Sequence, residues 1–331
     1  MRPEPVIVLG TPGPDPARLG AMLGQHPAGA FVPALRLGSA TTPHALGVLE
    51  KRGSTALTDG WRRAVAFHCF GGQDAGAIAD ADHWLFRRED WPLPVLTGEI
   101  ADRLAPAAMV TFDTDAVWRI VELERLLAAL PDARIIHLVH HPVPDCERMV
   151  DAQRHAWFIP SDYRDFGPGH DRAVLDPQLA WLRIHITIRR ACEALPPARY
   201  SRVDWHALAR DPEPQLGALV DWLGWPPAEA AITDMLRPER SPFCHPGPAE
   251  APGGVDRSLY ESPGFAPRLA PVADLSAPLS WREDGVGFAP EVRTLARELG
   301  LDYASLCVVA NWAAGCDPQD TEITLAEVLA N

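Results

Sequence analysis

The sequence predicts an α/β protein in three layers, a central parallel sheet flanked on both faces by helices. Three observations carry this. Four short β-type runs, Val6 to Gly10, Ala108 to Phe112, Ala133 to Val139 and Arg199 to Trp205, lie well separated along the chain. Helical patterns at Val117 to Leu130, Leu179 to Ala194 and Gln215 to Leu223 alternate with them, and such alternation builds a parallel sheet. With 331 residues the chain is long enough for one large domain of this kind with insertions.

Taken in order, the first strand runs into a Gly/Pro-rich turn and then a helix, Leu19 to Leu23, as a phosphate-binding loop begins. The turn itself, Gly13-Pro14-Asp15-Pro16-Ala17, holds none of the groups such a loop uses. Ligands of parallel sheets sit at the carboxyl ends of the strands, which directs attention to the residues after Leu9, Phe112 and Val139. From Arg237 to Trp281 the texture changes to Pro, Gly and Ser with little periodicity, which fits either a linker or a long ordered loop over the active-site face. An amphipathic helix follows at Pro290 to Leu299. The expected organisation is one domain over residues 1–301, with a Pro/Gly-rich loop at about 237–281 and an acidic extension over 302–331.

The composition excludes several classes. A net charge of −14 with no long Lys/Arg stripe argues against nucleic acid or an anionic membrane as partner. No apolar run approaches the ~18 residues a membrane helix needs, and the N-terminus lacks the layout of a secretory signal, so a cytoplasmic location is expected. The six cysteines are scattered without a CxxC pair, which predicts buried thiols rather than a disulfide framework or a zinc knot. Lys51 is the only lysine, so any other strong cation is an arginine. Monomer and homodimer are equally compatible with the composition.

The opening GTPGPDPARLGAMLGQHP resembles that of bacterial PAPS-dependent sulfotransferases, where the pattern is GTPRSGTS followed by LLxxMLGxHP. Further matches follow in order: GGQDAGAIADADHWLFRREDW, RIVELERLLAALPDARIIHLVHHPV and LPPARYSRVDWHALARDPEPQLGALVDWLGWPP. The resemblance implies the P-loop-like sulfotransferase fold and, in the family, transfer of a sulfuryl group from PAPS to a hydroxyl or amine. Backbone amides, a helix N-terminus and cations hold the anionic oxygens in such a reaction, and a base takes the acceptor's proton.

Four elements of that chemistry differ in this chain. In the first loop the family's Arg-Ser-Gly-Thr-Ser becomes Gly13 to Ala17, which loses a guanidinium and hydroxyls, loses two N–H groups to proline and gains a carboxylate. The acid or base of the family's HPxxYxxPEL segment aligns with Ala34. The family's Lys-Ser-Pro after the second strand is Phe112-Asp113-Thr114. The 3′-phosphate signature LVRDPRxxxxS reads Leu138-Val139-His140-His141-Pro142-Val143, with Arg148 at the serine place.

The expected site follows from these exchanges. His140, His141 and Asp113 are the candidate acid/base residues, since an imidazole exchanges protons near neutral pH and a carboxylate orients it. Gly13, Asp15 and Arg148 occupy the former PAPS positions, and His155, Trp157 and His245 are candidate substrate contacts. No metal site is expected, because adjacent histidines point in different directions on a regular strand. His137 is read as a core residue, His68 and Cys69 as a buried helix face, and Trp118 and Trp181 as packing residues. Three functions stay open: a repurposed biosynthetic enzyme without PAPS, acting on a small or carrier-tethered intermediate; a sulfotransferase that grips PAPS with different residues; and a non-catalytic binding protein.

Overall fold

The structure is a computed structural model that describes residues 2–53, 56–152, 164–165, 174–227, 229–266, 274–282 and 285–301. Its elements in chain order begin with β1 (Val6–Leu9), α1 (Pro14–Leu23) and β2 (Gly29–Phe31). Four helices then follow, α2 (Pro43–Gly53), α3 (Asp59–Phe70), α4 (Ala75–Phe86) and α5 (Leu93–Leu104). Next come β3 (Ala108–Asp113), α6 (Ile120–Ala129), β4 (Arg134–Val139) and α7 (Pro142–Ala152). A small antiparallel pair, β5 (Arg164–Asp165) and β6 (Val174–Leu175), precedes α8 (Pro177–Cys192), β7 (Tyr200–Asp204) and α9 (Trp205–Arg210). The remaining helices are α10 (Pro212–Trp222), α11 (Glu229–Met235), α12 (Arg257–Glu261) and α13 (Pro290–Glu298).

Five strands pair in parallel in the order β2-β3-β1-β4-β7. The period-2 alternation of β1 sorts its side chains between two cores. Ile7 and Leu9 face α3, α4, α5 and α8, whereas Val6 and Val8 face α1 and α10. Both faces are apolar, which is the condition for a parallel sheet covered by helices on each side. A third cluster joins Val139 to α7, α8 and α13 through Cys146, Trp181 and Leu295. All four predicted strands are present. The helix expected around His68 and Cys69 is α3, whereas the edge strand β2 and the helices α2, α4 and α5 were not foreseen.

Two segments differ from expectation. Helix α1 begins at Pro14 rather than Leu19, so four of the five turn residues Gly13 to Ala17 are the first turn of the helix. Proline is tolerated there because the first N–H groups of a helix have no intrahelical partner. The Pro-rich segment, where two conformations were open, is ordered over its described residues: it forms short 3-10 turns at Pro238–Arg240 and Pro242–Cys244 and buries Phe243 and Cys244. The expected extension over 302–331 lies outside the described residues.

A fully buried cation holds that segment. Arg63 of α3 donates to Gln73 Oε1 (2.6 Å), Tyr260 Oη (2.7 Å) and the carbonyls of Gly253 (2.7 Å), Pro242 (3.1 Å) and His245 (2.8 Å). Its planar fork suits several carbonyls at once, which a lysine cannot match. Arg63→Met, which keeps bulk and removes the donors, is expected to lower stability by roughly 3 kcal/mol or more; an unchanged urea midpoint would show that the segment is held by other means.

Candidate functional site

Three chain segments meet at the carboxyl edge of the sheet: the turn after β1, the turn after β4 and the start of α9 after β7. The short sequence distance from strand end to helix start fixes each of them in place. Gly13 caps α1 with φ +149°, a conformation that glycine adopts freely and other residues do not. Asp15, in the first turn of α1, lies where the helix dipole favours an anion.

Asp15 is the centre of the arrangement. His140 Nε2 lies 2.9 Å from its Oδ2, and Arg18, one turn along α1, pairs with its Oδ1. Burial alone would raise this carboxyl. The hydrogen bond and charge of His140, with Arg18 and Arg148 beside it, instead hold it below the ordinary aspartate range. The ring of His140 lies against Trp205, its backbone carbonyl accepts from Trp181 Nε1 (3.2 Å), and its Nδ1 is buried without a hydrogen-bond partner.

Arg148 of α7 pairs with Asp145, donates to the carbonyl of Pro12 and reaches Thr11 Oγ1 at 3.4 Å. Its guanidinium lies over the turn: a side chain at Gly13 would collide with Arg148 Nη1. The side chain of the same chain therefore fills the space above Gly13. Burial would raise Asp145 and lower Arg148, but the pair outweighs it in both, leaving the carboxyl below and the guanidinium above their ordinary values.

A cavity of about 170 Å³ opens beside Asp15, lined by Arg18, Trp205, Ser262 and Phe265 among others. Arg18 Nη2 donates to the carbonyl of Ser262 at 2.8 Å, so the ordered Pro-rich segment forms one wall. Trp205 and Phe265 meet edge to face at 5.8 Å. Asp15 faces this space, with His140 behind it. The chemistry available is a partly buried ionised carboxylate, a partner imidazole and two aromatic walls.

The predicted site residues are only partly gathered here. His140, Asp15, Gly13 and Arg148 share one cluster. His141 is buried, accepts from the Val143 N–H at 3.3 Å and offers its own carbonyl to Asp145 N–H. Asp113 serves elsewhere: its Oδ1 accepts from the N–H groups of Asp115 (2.8 Å) and Ala116 (2.7 Å), and Arg36 pairs with Asp115 close by. Its Oδ2 is buried without a partner, and burial, then the Asp115 charge, pushes its pKa up to about 6. His245 turns its Nε2 to the Glu239 carbonyl at 2.8 Å. His155 and Trp157 lie outside the described residues. Among the described residues no group of three His, Cys, Asp or Glu is arranged to hold a metal ion.

Arg18, Trp205, Ser262 and Phe265 were missed from the sequence. Arg18 stands three residues from Asp15, a helical ion-pair spacing that becomes legible once α1 starts at Pro14. Trp205 follows the last strand, where the same carboxyl-end rule applied to the other strands would have found it. Nothing local marks Ser262 or Phe265.

Two expectations follow from the site. Gly13→Ala should destabilise the protein by about 1–3 kcal/mol in urea unfolding, through its positive φ and the collision with Arg148. The second concerns acid. Burial pushes His68 and His185 down to about 4 from 6.5, so each contributes stability at neutral pH that is lost as the pH falls through that interval. Asp113, raised to about 6 from 3.8, acts with the opposite sign. The loss of stability between pH 6.5 and 4 should therefore flatten in His68→Gln and steepen in Asp113→Asn, read from urea midpoints across that range.

Comparison with known proteins places this geometry. The sequence pattern of the Sulfotransferase family matches residues 5–229. The sulfotransferase domain of the curacin biosynthetic pathway superposes with a TM-score of 0.69 at 18% identity, covering 90% of this chain and 98% of the domain. That of the Synechococcus PCC 7002 olefin synthase gives 0.61 at 17%, covering 90% and 95%. Curated relatives match over short stretches only. A probable S-methyl-5′-thioinosine phosphorylase of Xanthomonas campestris pv. campestris is 51% identical over 70 residues, 20% of this chain and 26% of the relative. The same-named protein of Xylella fastidiosa is 44% identical over 86 residues, 23% and 34%. The chain thus spans between about a quarter and a third of the curated relatives it matches. The five-stranded parallel sheet, the solved domains that superpose on nine-tenths of the chain and the pattern matched over 5–229 agree, and this chain belongs to the sulfotransferase family.

Proposed function

We propose that this chain is a repurposed sulfotransferase-fold enzyme, no longer dependent on PAPS, that performs acid/base chemistry on a small or carrier-tethered biosynthetic intermediate. The observation that carries the reading is the guanidinium of Arg148 above Gly13, tied to Asp145 and to the Pro12 carbonyl. The residues of the turn do not fit PAPS. Pro14 and Pro16 present no N–H, Asp15 brings a negative charge to the start of α1, and both nearby guanidinium groups already face carboxylates.

The chemistry rests on Asp15 and His140. The carboxylate faces the cavity and accepts from His140 Nε2–H at 2.9 Å, which orients it to take a proton from a substrate hydroxyl or amine. Trp205 and Phe265 offer apolar walls for the rest of the molecule. The biosynthetic setting is taken over from the two solved domains as part of this proposal.

One observation favours a second reading, a sulfotransferase with an altered nucleotide grip. Family membership and the presence of two arginines, Arg18 and Arg148, beside the first turn suit an anion if their carboxylate partners are displaced. Titration calorimetry with the desulfated nucleotide PAP separates the two. The repurposed reading expects no binding at millimolar nucleotide. Micromolar binding that disappears in a His140→Ala, Arg148→Ala variant would overturn it and put PAPS-dependent transfer first.

A further inference from the structure

A second cavity, of about 360 Å³ against about 170 Å³ beside Asp15, lies between α2 and α4 and shares no lining residue with the first. Its volume is within the range of small-molecule sites. On α2 the lining residues His44, Gly47, Val48 and Lys51 follow the spacing i, i+3, i+4, i+7, which is one face of a helix. Asp82, Leu85, Phe86 and Glu89 repeat that spacing on α4 and just beyond it. Phe86 is 70% exposed, the most of any large apolar side chain among the described residues.

Glycine in the interior of a helix costs stability relative to alanine. At Gly47 a Cβ would meet nothing within 4 Å, so packing inside the protein does not demand glycine there. The missing side chain does keep the α2 wall of the cavity open, which is what a ligand lying against the helix backbone needs.

The charges around the cavity are mostly answered from within the chain. Arg62 donates to both oxygens of Asp82 at 2.6 and 2.7 Å, and Glu50 Oε2 accepts from the Thr58 N–H at 2.7 Å. Glu89 Oε2 lies 3.7 Å from His44 Nδ1. Lys51, the only lysine of the chain, is exposed and forms no ion pair with a described residue. The approach of His44 to Glu89 sets the start of α2 beside the end of α4. Lys51, two turns along α2, therefore stands at the far end of the cavity, ~10 Å away by the helix rise. Val48 and Leu85 line the stretch between the two ends.

We propose that this cavity binds a small apolar carboxylate, with its anionic group on Lys51, its hydrocarbon part over Gly47 between Val48 and Leu85, and Phe86 across the mouth. Burial of the hydrocarbon supplies the affinity, and Lys51 supplies the choice of charge. The site goes beyond the acid/base reading, since it uses neither Asp15 nor His140.

The test titrates the full chain in a calorimeter with octanoate, whose extended length suits the ~10 Å between the two ends, and with octylammonium, which carries the opposite charge on the same tail. Octanoate is expected to bind saturably at millimolar concentration and more tightly than octylammonium. Gly47→Leu, which puts a side chain into the cavity, should weaken octanoate roughly tenfold or more. Its urea midpoint should stay at or above that of the parent, because leucine is the better helix former and its Cβ meets nothing. Lys51→Gln should weaken octanoate about threefold, the scale of an exposed ion pair. No saturable binding, octylammonium bound as tightly as octanoate, or an octanoate affinity unchanged in either variant would overturn the proposal. None of these outcomes depends on PAP binding, so the Asp15–His140 reading and this site stand or fall separately.

Discussion

Asp145 is buried and Asp15 partly buried at the carboxyl edge of the sheet, and a carboxylate so placed stays ionised only where cations and hydrogen-bond donors face it. Arg18, Arg148 and His140 meet that demand from inside the chain. The local arrangement depends on this compensation. It draws Arg148 across the turn, holds His140 with its Nε2 on Asp15, and answers the positive end of α1 with a side chain rather than a ligand. A phosphate-binding edge has the opposite design, with cations and amides left open for an anion to complete. Here the anions are covalent parts of the protein.

The second support is mechanical. A buried arginine with no carboxylate among its hydrogen-bond partners, Arg63, gathers three carbonyls and a tyrosine hydroxyl from a Pro-rich segment that has little regular structure, and bonds the Gln73 amide oxygen beside them. That anchorage, with the burial of Phe243 and Cys244, holds the stretch near α1. Ser262 and Phe265 become the wall of the cavity, and Arg18 links the wall to Asp15. The two arginines thus tie together sequence positions 179 to 244 residues apart: Arg63 fixes the segment, and Arg18 joins it to the charge cluster.

The histidines divide into kinds by what surrounds them. His68 and His185 are held neutral by burial, and His137 on β4 hydrogen-bonds His185 on α8. His140 differs because a carboxylate faces one of its nitrogens. Its neighbour His141 turns to local backbone and serves the turn after β4. Adjacent residues of one type, both beyond the end of β4 at Val139, thus take different tasks because their side chains meet different partners.

The fold was legible because it rests on local periodicities. Val6 to Leu9, Ala108 to Phe112, Ala133 to Val139 and Arg199 to Trp205 are strand patterns that no tertiary contact is needed to read, and all four became strands of one parallel sheet. The exchanges in the first turn were legible too, since the loss of two N–H groups at Pro14 and Pro16 is a property of the residues alone. Which groups meet was not. Asp113 was expected beside His140 and instead caps the turn at Asp115 and Ala116, while Trp205 and Phe265 came to the space beside Asp15 from two other segments. A side chain's periodicity is fixed by its neighbours in sequence, but its partners are fixed by the crossing of elements. For Asp15, Arg148 and Phe265 those crossings are set by strand order and by the anchorage of the Pro-rich segment, so the tertiary structure alone decided them.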